Sequence, residues 1–216
     1  TKEEVLNGFR KGTMARQIIP VMCGSALKNI GIEDLMKKIV EVLPSPADGA
    51  PEMATNPQTN EVKELKAEAN GPVAALVFKT MADPFVGKLT LFRVYSGKVS
   101  SDSSLWNASR NQEERIGQLF LIKGKTQIPV PVLEAGDLGA VAKLQVTSTN
   151  DTLCVKGTPL LLTGTEFPKP KLTMAVAAKT KGDEDKISSG LNRLLDEDPT
   201  IKVEKDTTTK EQLLSG

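Results

Sequence analysis

The chain contains no histidine, two cysteines, one tryptophan and one tyrosine. Without histidine it lacks the commonest general base, the commonest metal ligand and the usual switch near neutral pH; no metal site is expected. Cys23 and Cys154 are far apart in sequence and belong to no CxxC pattern. They read as reduced thiols of a cytosolic protein, with a disulfide between the two left open. No uncharged apolar run approaches the roughly 18 residues that a membrane span needs, and no secretory leader is expected. Neither charge sign is in excess: 28 Lys and Arg stand against 27 Asp and Glu, so net charge points to neither nucleic acid nor membrane.

What is present falls into three compositions. Thr1-Lys-Glu-Glu4 has capping-box spacing, and Val5, Leu6 and Phe9 continue it as a helix over residues 2–11 with Gly12 as its stop. Ile18-Ile-Pro-Val-Met-Cys23 is wholly apolar, the pattern of a parallel strand covered on both faces. Gly24-Ser-Ala26 turns the chain. Ile32, Leu35, Met36, Ile39, Val40 and Leu43 then mark an amphipathic helix that Pro44-Ser-Pro46 ends. One strand between two helices reads as the last βα unit of a larger α/β sheet, so residues 1–46 are expected to be part of a longer domain. Residues 47–70 are polar and aperiodic; they read as a linker, with a short charged helical piece near 61–69.

From 71 to 167 short β-rich runs alternate with turn signals: 73–80, a turn at Asp83-Pro84, then 88–95, 104–107, 114–122, 140–146 and 159–163. That spacing predicts an antiparallel barrel, which leaves no sheet edge open. Beyond Pro168-Lys-Pro170, residues 168–216 follow a β-α-β-β order. Leu172, Met174 and Val176 alternate, 183–196 carry one apolar helical face, Ile201 and Val203 alternate, 207–209 turn, and 212–214 start a third strand. This is the opening of a split βαβ unit. The fold class is multidomain α+β: an α/β remnant, an antiparallel β-barrel and a partial ferredoxin-like unit.

Two motifs bear on chemistry. Ser25-Ala26-Leu27, after the apolar run, has the form of a loop whose backbone N–H meets a guanine O6; an ordinary strand-to-helix turn has the same residues. Gly124-Lys-Thr126 imitates the end of a phosphate loop, but GxxxxGK[ST] requires glycine where Leu119 stands. It is rejected, and Lys123–Lys125 reads as a solvated loop. No NKxD is present and no phosphate-loop Ser or Thr to hold Mg²⁺, so no catalytic residue is assigned. The segment 79–125 carries Lys79, Lys88, Arg93, Lys98, Arg110, Arg115, Lys123 and Lys125 against Asp83, Asp102, Glu113 and Glu114. A phosphate-contacting surface and solvated strand faces both fit this excess. Trp106 and Tyr95 read as core.

Taken together, these residues resemble the elongation factor G family over nearly the whole chain. Val21-Met-Cys-Gly-Ser-Ala-Leu-Lys-Asn29, Gly31 and Leu43-Pro-Ser-Pro46 look like the end of its GTP-binding domain. Phe78-Lys-Thr-Met-Ala-Asp-Pro-Phe-Val-Gly-Lys-Leu-Thr90, Arg93-Val-Tyr-Ser-Gly97, Glu114-Arg-Ile-Gly117 and Ala135-Gly-Asp-Leu-Gly-Ala-Val141 look like its second domain. Lys179-Thr-Lys-Gly-Asp183, Leu195-Asp-Glu-Asp-Pro199 and Leu214-Ser-Gly216 look like the start of its third. The resemblance implies a cytoplasmic, ribosome-dependent GTPase acting as a translocase. In it Ser25, Ala26 and Leu27 would form the guanine-side loop, and Arg93, Lys98, Arg110 and Arg115 would be candidates for small-subunit rRNA contact. GTP and Mg²⁺ would be bound by the intact protein; neither is expected on this chain alone, which is expected to be inactive. Its partners would be the ribosome and the remainder of its own GTP-binding domain, and the incomplete third unit is expected to self-associate. The family usually has a His- and Asn-containing stretch where this chain has Lys123-Gly-Lys-Thr-Gln-Ile-Pro-Val-Pro131. That departure keeps a second reading open: a structural spacer of a ribosome-protection or recycling relative, with little RNA contact.

Overall fold

The first residue already caps a helix. Thr1 Oγ1 accepts from the Glu4 amide at 3.3 Å and donates to Glu4 Oε2 at 3.0 Å, closing the expected capping box on α1 (Lys2–Met14). In the computed structural model the described residues are 1–83, 86–180 and 182–216; the Asp83-Pro84 turn and the Lys179–Asp183 motif fall partly outside them. The chain divides into two compact units, Thr1–Gly49 and Ala50–Gly216.

In the first unit, Gly12 does not stop α1. It is buried within the helix, where a Cβ would fall 2.5 Å from Ile18 Cδ1. The glycine therefore serves close packing of the returning chain, and its carbonyl accepts the amides of Gln17 and Ile18 at 2.8 and 3.1 Å. α2 (Ile32–Val42) matches the periodic segment. The run between the helices corrects the sequence reading: residues 18–23 form no strand, and Ile19 and Val21 are 81% and 89% exposed. A strand exists only beside a hydrogen-bonding partner, and no described residue of 1–49 supplies one.

Residues 47–70 are not a linker, and 61–69 are not helical. β1 (Glu52–Thr55) and β2 (Val62–Leu65) form a hairpin. Asn56 Oδ1 accepts the amides of Gln58 and Thr59 at 2.8 and 3.3 Å, and Asn60 takes a positive φ of 59°, a conformation asparagine tolerates well. The polar composition that suggested a linker is this turn.

The second unit is built round β3 (Ala74–Asp83) and β4 (Gly87–Ser96). β5 (Lys98–Ser100), β6 (Ser103–Asn107), β7 (Gln112–Ile116), β8 (Leu119–Lys123) and β9 (Thr126–Val130) follow. Then come β10 (Val132–Glu134), β11 (Leu138–Ala142), β12 (Thr152–Cys154) and β13 (Leu161–Leu162). Eight of these make an antiparallel sheet in the order β7-β6-β12-β3-β4-β11-β8-β9, and β5 pairs with β10. The sheet curls round one core of Val77, Phe92, Val94, Val99, Leu105, Ile116, Leu119, Leu133, Val141 and Leu153. Each such side chain, fully buried, contributes about 1.5–3 kcal/mol by leaving water. β13 joins β1 and β2 in a small sheet that covers the barrel's outer face. There Ala54, Leu65, Ala74, Leu76, Cys154 and Leu162 form a second core, with Tyr95 and Trp106 packed partly against it. Both cysteines are free thiols. The loop expected at Lys123–Lys125 is the exposed β8–β9 turn; Pro129 in β9 is tolerated because β9 ends the sheet and one side of it has no ladder to serve.

β14 (Thr173–Val176), α3 (Glu184–Glu197), β15 (Lys202–Lys205) and β16 (Gln212–Ser215) complete this second compact unit and make up the part that the sequence marks off as a third unit. The sheet order β14-β16-β15, all antiparallel, is that of a split βαβ unit. Leu191 is its buried anchor at 6% exposure, while Leu172 and Met174 remain 63% and 62% exposed. No helix among the described residues is long and apolar enough to cross a membrane.

Candidate functional site

The Ser25-Ala26-Leu27 loop is a small closed turn. The Ser25 amide donates to the Ile30 carbonyl and the Ile30 amide to the Ser25 carbonyl, each at 3.0 Å. Two glycines permit it. A Cβ on Gly24 would sit 2.7 Å from the Ile30 carbonyl oxygen, and Gly31 holds a φ of 74°. Lys28 N donates to Ser25 Oγ at 3.4 Å and Asn29 N to the Ala26 carbonyl at 3.2 Å. The amides of Ala26 and Leu27 donate to no acceptor among the described residues, and Leu27 is 99% exposed. The turn thus presents backbone donors outward, and it follows an extended segment rather than a strand.

The four candidate cations are not one patch. Arg93 lies on β4, its guanidinium 4.8 Å from the Tyr95 ring centre. Lys98, on β5, is paired with Glu134 at 2.7 Å. Arg110, after β6, is paired with Asp151 at 3.1 Å. Arg115 is exposed on β7, opposite Ser104, and forms no ion pair among the described residues. β7 and β4 are separated by three strands, so Arg115 and Arg93 stand four strand spacings, about 19 Å, apart as measured round the curled sheet. Lys123 and Lys125 flank the exposed β8–β9 turn at Gly124.

The arrangement that sequence reasoning missed is buried. Glu114, counted among the surface acids, is 3% exposed. It accepts the amides of Gln145, Val146 and Thr147 at 3.1, 2.8 and 2.9 Å and the Thr147 hydroxyl at 2.8 Å. Burial pushes its carboxyl upward, but these four donors outweigh that and hold it below the usual glutamate range. Asn107 Nδ2 donates to Thr147 Oγ1 at 2.9 Å and to Asp151 Oδ2 at 3.0 Å, and Asp151 also accepts the Ser148 amide and Arg110 Nε. The network fastens the 143–151 loop to the barrel and commits Arg110 to an internal partner. The signal was available: strand alternation puts Glu114 on the face of Ile116. Burial raises the Cys154 thiol above its ordinary value, partly offset by the Leu160 backbone, which disfavours its thiolate form. No group of three or more potential metal ligands occurs among the described residues.

Comparison with known proteins matches these regions in order. Residues 72–156, the barrel, match the family model for elongation factor G domain 2. Residues 167–216, the split sheet and its helix, match the model for elongation factor G domain III. A crystal structure from Thermus thermophilus is similar over 100% of this chain, with 28% identity and a TM-score of 0.75, and the chain spans 30% of that solved chain. With a second-domain match on the barrel, a third-domain match on the split sheet and the two in sequence order, the chain belongs to the elongation factor G family.

Proposed function

We propose that this chain is the ribosome-contacting and coupling part of a cytoplasmic, GTP-dependent translocase. The observation that carries the reading is the ordered match of barrel and split sheet to the second and third domains of elongation factor G. The barrel would meet small-subunit RNA. Arg115 would be the leading contact, because Lys98 and Arg110 are held by carboxylates and Arg93 lies over a ring. The third unit would pass nucleotide state to ribosome movement.

GTP would be held chiefly by residues outside this sequence. The free amides of Ala26 and Leu27 suit a purine carbonyl, so the Ser25–Leu27 turn would contribute a base-edge contact. The sequence has no phosphate loop for the phosphates and Mg²⁺. The isolated chain is therefore expected not to bind GTP usefully; calorimetric titration showing a micromolar constant would overturn that. The ion pairs that occupy Lys98 and Arg110 favour one second reading, a spacer module of a ribosome-protection or recycling relative with little RNA contact. Sedimentation with small ribosomal subunits at two salt concentrations separates the two. Salt-sensitive pelleting supports the RNA-contacting barrel, and no pelleting at low salt supports the spacer.

A further inference from the structure

The C-terminal end of α3 is strongly negative. Its last carbonyls carry the negative end of the helix dipole, Asp196 and Glu197 add carboxylates, and no basic residue lies in its last turn. The compensating groups come from the barrel. Lys88 Nζ of β4 lies 2.9 Å from Asp196 Oδ1 and is only 19% exposed. The Ala82 amide of β3 donates to Glu197 Oε1 at 2.8 Å. The buried Thr80 hydroxyl donates to the Asp196 carbonyl. One cation, one amide and one hydroxyl on the β3–β4 hairpin thus meet the anionic helix end, and α3 carries the principal contact of the third unit with the barrel.

The second attachment is the chain itself, and it is anchored at both ends. Asn150 grips Thr165 with two bonds, Nδ2 to its carbonyl at 2.7 Å and Oδ1 from its amide at 2.9 Å. Gly164 fits beneath Asn150 because a Cβ there would fall 2.6 Å from the amide carbon. Lys171 and Leu172 are tied at the far side to the Gly216 carbonyl, each at 3.0 Å. Between these anchors, residues 166–170 have no regular structure and make no backbone hydrogen bonds among the described residues.

We propose that the Thr80–Ala82–Lys88 contact with Asp196 and Glu197 is a salt-sensitive latch. It sets the orientation of the third unit on the barrel, and its release lets that unit swing about 166–170 with both parts folded. The physical ground is that the contact is held by an ion pair, an amide–carboxylate bond and one hydroxyl bond, and polar interfaces between parts of one chain permit relative motion. The latch does not depend on whether the barrel meets RNA.

The test is energy transfer between dyes on cysteines placed at Glu113 of β7 and Lys210 of the β15–β16 turn, in the 216-residue chain carrying Cys23→Ser. At about 0.05 M salt the expected result is one narrow transfer distribution, which broadens at about 0.5 M as screening shortens. Lys88→Glu should broaden it at low salt and raise exchange of the Ala82 amide about tenfold. The charge reversal Lys88→Glu with Asp196→Lys should restore the narrow distribution. The urea midpoint read by Trp106 should not change, which separates latch opening from barrel unfolding. A distribution indifferent to salt and to Lys88→Glu, a fall in the urea midpoint that accounts for the change, or failure of the reversal would each overturn the proposal.

Discussion

Strand β4 and the run Ile18–Cys23 are both rich in large apolar residues, and they end in opposite places. Phe92 and Val94 of β4 are wholly buried, whereas Ile19 and Val21 are more than four-fifths exposed. The difference is not hydrophobicity. β4 has β3 on one side and β11 on the other, and the sheet they form curls over its own side chains. The 18–23 run has no ladder partner among the described residues of its unit. Apolar character specifies burial only where the backbone's hydrogen bonds are also met.

The largest expected effect that could break this contrast is on the barrel side. Phe92→Ala should cost about 3–5 kcal/mol through lost transfer energy and the cavity left behind, read as a lower urea midpoint by Trp106 fluorescence. Val21→Ala should change stability by less than about 0.5 kcal/mol, followed by far-UV circular dichroism. Similar losses from both would show that the run is packed in solution.

A smaller effect sharpens the same comparison through polar groups. Glu114→Ala strands three amides and a hydroxyl in the barrel and should cost about 2–4 kcal/mol. The pH dependence has a definite sign. The folded carboxyl lies below its unfolded value, so its contribution is complete above the unfolded pKa of about 4.3 and is lost as pH falls through the folded value. Wild-type urea midpoints should therefore fall in acid more steeply than those of Glu114→Gln, and parallel curves would contradict the assignment.

The smallest effect concerns two hairpins built alike. In β1–β2, Asn56 Oδ1 accepts two turn amides, and Asn60 has a φ of 59°. In β15–β16, Asp206 Oδ1 accepts the amides of Thr208 and Thr209, both at 2.7 Å, and Lys210 has a φ of 64°. Asparagine does not titrate, but the Thr209 and Thr208 amides lower the Asp206 carboxyl. Its support is present above the unfolded aspartate pKa and lost as pH falls through the folded value. Amide exchange in β15–β16 should therefore speed up in acid, after correction for intrinsic rates, while β1–β2 stays level. Asp206→Asn should make the two hairpins behave alike; persistence of the difference would place its cause elsewhere.

Much of the fold was legible where one local signal decided it. The Thr1–Glu4 box gave the start of α1, the period of Ile32–Leu43 gave α2, and the alternation at 172–176 and 201–203 gave edges of the split sheet. β5, β10 and β12, three residues each, were too short to show a period. β1 and β2 were hidden because their turn is polar and only Ala54 and Leu65 point inward. Of the candidate cations, sequence could rank none: Lys98 and Arg110 are neutralised by Glu134 and Asp151, at least 36 residues away in sequence, so only the fold reveals it. Arg115 keeps its exposure because Glu114, beside it, faces inward.

The most direct test of the functional account places a hydroxyl-radical source next to Arg115. Glu113 shares its face of β7, so Glu113→Cys in the Cys23→Ser chain can carry a tethered iron chelate, with Thr59→Cys on the β1–β2 turn as the reference site. Bound to small ribosomal subunits at low salt, the Glu113 probe should cleave subunit RNA at discrete positions, and the cuts should weaken with Arg115→Glu. RNA cleavage no stronger than from Thr59, or unchanged by Arg115→Glu, would contradict the proposed barrel contact.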